Sequence, residues 1–284
     1  MYQGGKSEAA LGDAGVGNFR VATKANPWYK DGRTFDDPVA GLNAPSVKEQ
    51  LRNSLANLRL QSVDLFYLHA PDHETPVEET LRAVHEIGGL FREWGLSNYA
   101  AWETVDIWYI CKANGWQTPS VYQGMYNAVT REVERELLPA LKKLGMRFYA
   151  YNPLAGGILT GKHRFDSPPE GGRFSVKTVW GGRYRRGTVD RFWHKPTFDA
   201  LEVIKDLCRK HETTPVSASL RWLRHHSCLS GDHGDAVIVC GSSVEQVKAN
   251  VDACTDDTPL PQELVDAFEQ AWGASKALCP QYFR

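Results

Sequence analysis

Two strand-like runs in this 284-residue chain end on groups that could work as a pair. Phe19-Arg20-Val21-Ala22-Thr23-Lys24 closes on an amine, and Val63-Asp64-Leu65-Phe66-Tyr67-Leu68-His69 closes on an imidazole. Side chains at the carboxyl ends of neighbouring parallel strands project into one cleft, which is where α/β barrels place their chemistry. An ammonium and an imidazole aimed into one cleft are the marks of an enzyme. Taken singly, each residue has a plainer reading. A lone strand-end lysine is commonly a solvated cap, and His69 with Asp72 and His73 also reads as part of a metal site, although no third cluster accompanies them.

The elements that would position this pair alternate along the chain. Pro45-Ser46 opens a helix in which Val47, Leu51, Leu55 and Leu58 recur at helical spacing, and Thr75-Pro76-Val77-Glu78 opens another, with Pro at its first position. Strands follow at 93–98, 120–125, 147–152 and 236–240. Helices are expected near 101–114, 131–144, 197–211 and 215–226, from about Val244, and near 261–276. Strands alternating with helices at this spacing imply βαβ units and a parallel sheet. The count is six strand–helix units, two fewer than a closed (β/α)₈ barrel needs. A long stretch from about 153 to 195 carries Pro168-Pro169, several glycines and eight Arg or Lys residues between Lys162 and Arg191. Its length suits a lid or binding loop and its charge suits an anionic ligand.

With 33 basic against 34 acidic residues, the chain offers no broad basic field for nucleic acid and no polybasic run for lipid. A small molecule is the expected partner. The six cysteines are scattered without a CxxC pair or metal-ligand rhythm, which suggests reduced thiols in a cytoplasmic protein. No apolar run reaches the length of a membrane helix, and the start does not read as a signal peptide. No domain linker is visible, so residues 1–284 are read as one domain.

Several motifs now resemble, in order, those of the aldo-keto reductases: Ala22-Thr23-Lys24, Asp64-Leu65-Phe66-Tyr67-Leu68-His69, Gly95-Leu96-Ser97-Asn98-Tyr99, Tyr122-Gln123, Tyr149-Ala150-Tyr151-Asn152-Pro153-Leu154 and Gly241-Ser242-Ser243. Lys24-Ala25-Asn26-Pro27-Trp28, Leu68-His69-Ala70-Pro71-Asp72-His73, Tyr122-Gln123-Gly124-Met125-Tyr126-Asn127 and the terminal Tyr282-Phe283-Arg284 are similar to its aflatoxin-aldehyde and succinic-semialdehyde reductase branch. The resemblance covers essentially the whole chain. It implies a (β/α)₈ TIM barrel, reduction of aldehydes with NADPH, a detoxifying role, a homodimer, and a catalytic Tyr, Lys, His and Asp tetrad. Tyr2, Lys24 and His69 match the first three members. The tetrad aspartate and the family's first two strands have no counterpart, so the barrel is read as N-terminally incomplete, with unpaired sheet edges and impaired catalysis.

The chemistry agrees with that assignment. Hydride arriving at a carbonyl carbon creates an alkoxide, which needs a proton donor and hydrogen-bonding groups at its oxygen. A phenol is a reluctant acid, and a nearby ammonium such as that of Lys24 favours its phenolate. His69 would orient the carbonyl oxygen and so also count among the substrate contacts. The chain lacks the GxGxxG of a Rossmann site.

By resemblance, Ser97, Asn98 and Gln123 hold the nicotinamide carboxamide, Tyr151 stacks on its ring, and Asn152, Pro153, Leu154, Gly156, Gly157, Leu159, Gly161 and Lys162 form the pyrophosphate loop, with Arg173 beyond it. Ser242 and Ser243 open a helix, with Gln246 and Asn250 on one face, whose N-terminus suits the adenosine 2′-phosphate. Tyr184, Arg191 and Arg284 match positions that approach an acidic substrate. The alternative is a non-catalytic NADP(H)-binding or channel-subunit-like interaction protein.

Overall fold

A computed structural model of the chain describes residues 5–28, 41–175, 177 and 192–284. They fall into two compact units, one of residues 1–123, 140–147 and 283–284, the other of residues 124–139 and 148–282.

The first unit is built on β1 (Ala22–Ala25), β2 (Val63–Leu68), β3 (Phe91–Ser97) and the start of β4 (Val121–Met125), each paired in parallel with the next. Helix α1 (Lys6–Ala14) precedes β1, and α2 (Ala44–Leu58), α3 (Val77–Glu86) and α4 (Ala101–Ala113) separate the strands. Asn43 caps α2 by accepting a hydrogen bond from the Ser46 amide at 3.0 Å, with Pro45 in the first turn, where its missing N–H costs nothing. Val47, Leu51, Leu55 and Leu58 then bury one face, as their spacing predicts. The polar members of that face matter more for function. Gln50 accepts from the Asn26 amide at 2.9 Å and donates to the Asn26 carbonyl at 3.0 Å, which fixes the chain where it leaves β1.

Gly95 lets β2, β3 and β4 approach. A Cβ there would lie 2.3 Å from the Val121 carbonyl oxygen and 3.0 Å from the Tyr67 ring. The oxygen belongs to the neighbouring strand and cannot swing aside, so Gly95→Ala should destabilise by about 2–3 kcal/mol, the upper end of overpacking costs. Thermal unfolding monitored by circular dichroism should show a midpoint lower by roughly 5–10 °C.

The second unit contains β5 (Arg147–Tyr151) beyond its first residue, paired in parallel with β6 (Ala236–Val237). Its helices are α6 (Lys195–Lys210), α7 (Pro215–His225), α8 (Val244–Thr255) and α9 (Gln262–Ser275), and α5 (Leu137–Leu144) begins in it. Trp222 is buried between Tyr126 and Phe268, with ring centroids 6.0 and 6.3 Å away. Arg131 lies over the Trp222 ring and pairs with Glu134 and Glu269.

Four expectations need correction. β1 starts at Ala22, and Phe19 is 84% exposed, so the apolar beginning of that run is not core. The helix expected near 131–144 begins only at Leu137, after a separate 3₁₀ turn at Glu132–Glu134. β6 holds two residues rather than five: Ile238 still donates to Ala150, but the Cys240 carbonyl is taken by the Asn250 side chain. Pro76 is the N-cap of α3 rather than its first residue. The structure also adds α1, which buries no residue and so leaves no apolar stripe to read.

Candidate active site

β1 and β2 pair with Lys24 opposite Tyr67 and Ala25 opposite Leu68, and His69 follows directly. Side chains alternate along a strand, so Lys24, Tyr67 and His69 share one face at the carboxyl edge. The Lys24 ammonium lies 5.2 Å from the centre of the Tyr67 ring. Burial lowers its pKa to about 8, with the Glu8 carboxylate pulling the other way. Burial, followed by the charges of Lys24 and Arg284, depresses His69 to about 3, so its imidazole is neutral across the physiological range. The pair read from the sequence does converge.

The surroundings hold His69 in place. Its amide donates to the Ala25 carbonyl at 2.8 Å, and its carbonyl accepts from Asn98 Nδ2 at 2.8 Å. Asn98 manages this by sitting in the left-handed region at φ 62°, which asparagine tolerates, and Nδ2 also reaches Ser97 Oγ at 3.0 Å. Ser97 and Asn98 are buried, and Gln123 is half-buried opposite Ser97 in the register.

Trp28 presents an edge contact to His69 at 5.8 Å between ring centres. The guanidinium of Arg284 lies 5.2 Å from the centre of the Trp28 ring, and its amide donates to the Asn98 carbonyl at 3.0 Å. Tyr67 and Trp28 are the participants that sequence reasoning missed. Trp28 stands four residues beyond Lys24, and Tyr67 two before His69, within motifs already quoted.

In the second unit, Tyr151 ends β5 half-buried, and Asn152 follows at φ 56° with its carbonyl accepting from Asn127 at 3.0 Å. Arg173 donates to Asn152 Oδ1 at 3.2 Å. The 3₁₀ turn Ala155–Thr160 needs glycine at Gly156 and Gly157, where φ is 69° and 117°, and closes on Gly161. Pro153 and Leu159 are buried, Leu154 is half-buried and Lys162 is exposed.

At the other end of this unit, Ser243 caps α8 by accepting from the Gln246 amide at 3.3 Å, and the Ser242 amide and hydroxyl donate to Gln246 Oε1. A hollow at this helix N-terminus is lined by Gly241, Ser242, Ser243, Val244, Val247 and Lys248. A Cβ at Gly241 would come within 2.8 Å of the Gln246 Cβ. Lys248 adds a cation that sequence reasoning did not single out. Asn250 points elsewhere and binds the Cys240 carbonyl at 2.8 Å.

Tyr2, Tyr184 and Arg191 lie outside the described residues. The metal alternative finds no support in the geometry: His73 pairs with Glu103, Asp72 accepts from the Leu42 and Glu74 amides, and no group of three His, Cys, Asp or Glu suited to an ion occurs among the described residues. No helix among them is long and apolar enough to cross a membrane.

The chain matches the model of the Aldo/keto reductase family over residues 1–272. It is 47% identical over 296 residues to aflatoxin B1 aldehyde reductase member 2 of Mus musculus, covering 100% of this chain and 77% of that protein. It is 46% identical over 298 residues to aflatoxin B1 aldehyde reductase member 4 of Homo sapiens, covering 100% and 86%. Aldo-keto reductase family 7 member A3 of Homo sapiens is 44% identical over 296 residues, with the same coverage.

Proposed function

Because the chain belongs to the aldo/keto reductase family, an oxidoreductase family with a TIM-barrel fold, we propose that it reduces aldehydes to alcohols with NADPH, taking small dialdehydes and semialdehydes as substrates. The observation that carries this reading is the placement of Lys24 and His69 on one face of β1 and β2, close enough for the lysine charge to act on the imidazole.

The residues fit the cofactor. Ser97 and Gln123 stand side by side at strand ends, as carboxamide partners should. A helix N-terminus capped by Ser243, with Ser242 and Lys248 beside it, suits a phosphate. A dinucleotide held by these residues would supply the hydride that a carbonyl carbon accepts. The chain's own residues provide for the oxygen: neutral His69 can donate a ring N–H to it, and Tyr2, by resemblance, delivers the proton. Lys24 makes that phenol a stronger acid by favouring its phenolate. Arg284, placed over Trp28, supports an acid-bearing aldehyde such as succinic semialdehyde, because guanidinium binds carboxylate in bidentate fashion.

The test is aldehyde-dependent oxidation of NADPH by the purified chain, with NADH in parallel, and with tryptophan fluorescence recorded during cofactor titration. Turnover that prefers NADPH supports the reductase. Quenching without turnover on any dialdehyde or semialdehyde would instead favour the binding-protein reading.

A further inference from the structure

We infer that Trp28 is a specificity-determining residue: its indole sets the gap between His69 and Arg284, and so restricts the acid-bearing aldehydes that fit to short chains. The inference rests on His69 holding the carbonyl oxygen and Arg284 the carboxylate.

His69 and Arg284 are tied to one residue. Asn98 Nδ2 donates to the His69 carbonyl at 2.8 Å, and the Asn98 carbonyl accepts from the Arg284 amide at 3.0 Å. Trp28 is fixed from elsewhere. Its amide donates to Asn26 Oδ1 at 3.1 Å, and the buried Asn26 is held by Gln50, which accepts from its amide and donates to its carbonyl. Gln50 is itself buried on α2 and also donates to Ser46 Oγ at 3.1 Å. Unmaking a buried, hydrogen-bonded polar pair is costly, so the turn that carries Trp28 is held in one conformation.

The half-buried indole meets the His69 ring at 5.8 Å between centres, with the planes 73° apart, and the Arg284 guanidinium at 5.2 Å. Both separations lie where aromatic edge contacts and cation–π contacts are attractive. The indole is therefore a spacer, and its two contact distances together cap the span from imidazole to guanidinium. A charge-assisted pair with a carboxylate at one end and an N–H bond to a carbonyl at the other take up most of that span. Room is left for a few carbons between them.

The ω-hydroxy acids that such a reduction yields carry both groups and bind without turnover. Isothermal titration calorimetry with unbranched ω-hydroxy acids of four, six and eight carbons, in the presence of NADPH so that no hydride can leave the alcohol, reads the gap directly. The parent should bind the shortest acid at least about tenfold more tightly than the longest, the size of a small misfit in a rigid pocket. Trp28→Leu opens the gap and should reduce that ratio to about threefold or less, with Trp28→Phe, which keeps a smaller ring, in between. A merely structural loss would weaken all three acids together and leave the ratio as it was. A ratio unchanged from the parent in either folded variant, or no preference for the short acid in the parent, would overturn the inference. Failure of the reductase reading shows instead as absent NADPH oxidation by the parent with aldehydes, and leaves the binding ratio readable.

Discussion

Lys24→Met should cut aldehyde reduction by about two to four orders of magnitude while the protein becomes more stable near neutral pH. Methionine keeps an apolar stem but removes the ammonium that lies over the Tyr67 ring, and with it the charge that, in the proposed mechanism, acidifies the proton donor. Loss of a proton-transfer arrangement is expected to reduce kcat by about 10²- to 10⁴-fold, or roughly 3–5 kcal/mol of transition-state stabilisation.

The stability change runs the other way because burial depresses the lysine pKa from 10.5 to about 8. Below pH 8 the folded protein carries a charge that the unfolded chain holds more easily, and the cost is fully present. Between 8 and 10.5 the unfolded state binds more protons than the folded one, so stability rises with pH until the cost disappears. The variant should therefore be more stable than the parent at pH 7, by on the order of 1–3 kcal/mol, and equal to it near pH 10.5. Chemical denaturation of both proteins at the two pH values checks this, alongside single-turnover kinetics and NADPH titration. Retained turnover in Lys24→Met would remove the lysine from the mechanism.

His69→Gln should lower kcat/KM by about 10²- to 10³-fold, because glutamine can still donate a hydrogen bond but does not hold the carbonyl oxygen at the same point. The pH dependence is the sharper test. With His69 held near 3, the parent should show no acid limb from this group around pH 6.5, and its kcat/KM should fall instead as Lys24 loses its proton through pH 8. Stability should also decline as pH drops from 6.5 towards 3, where the unfolded chain takes up the proton that the folded site refuses. Glutamine should flatten that decline. An acid limb at pH 6.5 that vanishes in His69→Gln would mean the imidazole titrates freely, and the buried site described for it would be wrong.

The chain's alternation of strands and helices and the polar residues at the carboxyl edges of β1 and β2 could be read from sequence alone, since period-two and helical patterns are local. Lys24 and His69 were legible for that reason, whereas the Ser97-Asn98 corner and the Ser242-Ser243 pair were picked out by their resemblance to family motifs. Helix α1 was not, because it buries no residue. The short β6 was not, because a side chain ten residues away takes the carbonyl that its pattern would leave to a strand.

Only the tertiary structure decided that Tyr67 lies beneath the ammonium, that Trp28 stands between His69 and Arg284, and that Glu8 reaches Thr23. Those contacts depend on strand register and on side chains distant in the chain. The depressed pKa values of Lys24 and His69 depend on burial, which no single residue in the sequence carries.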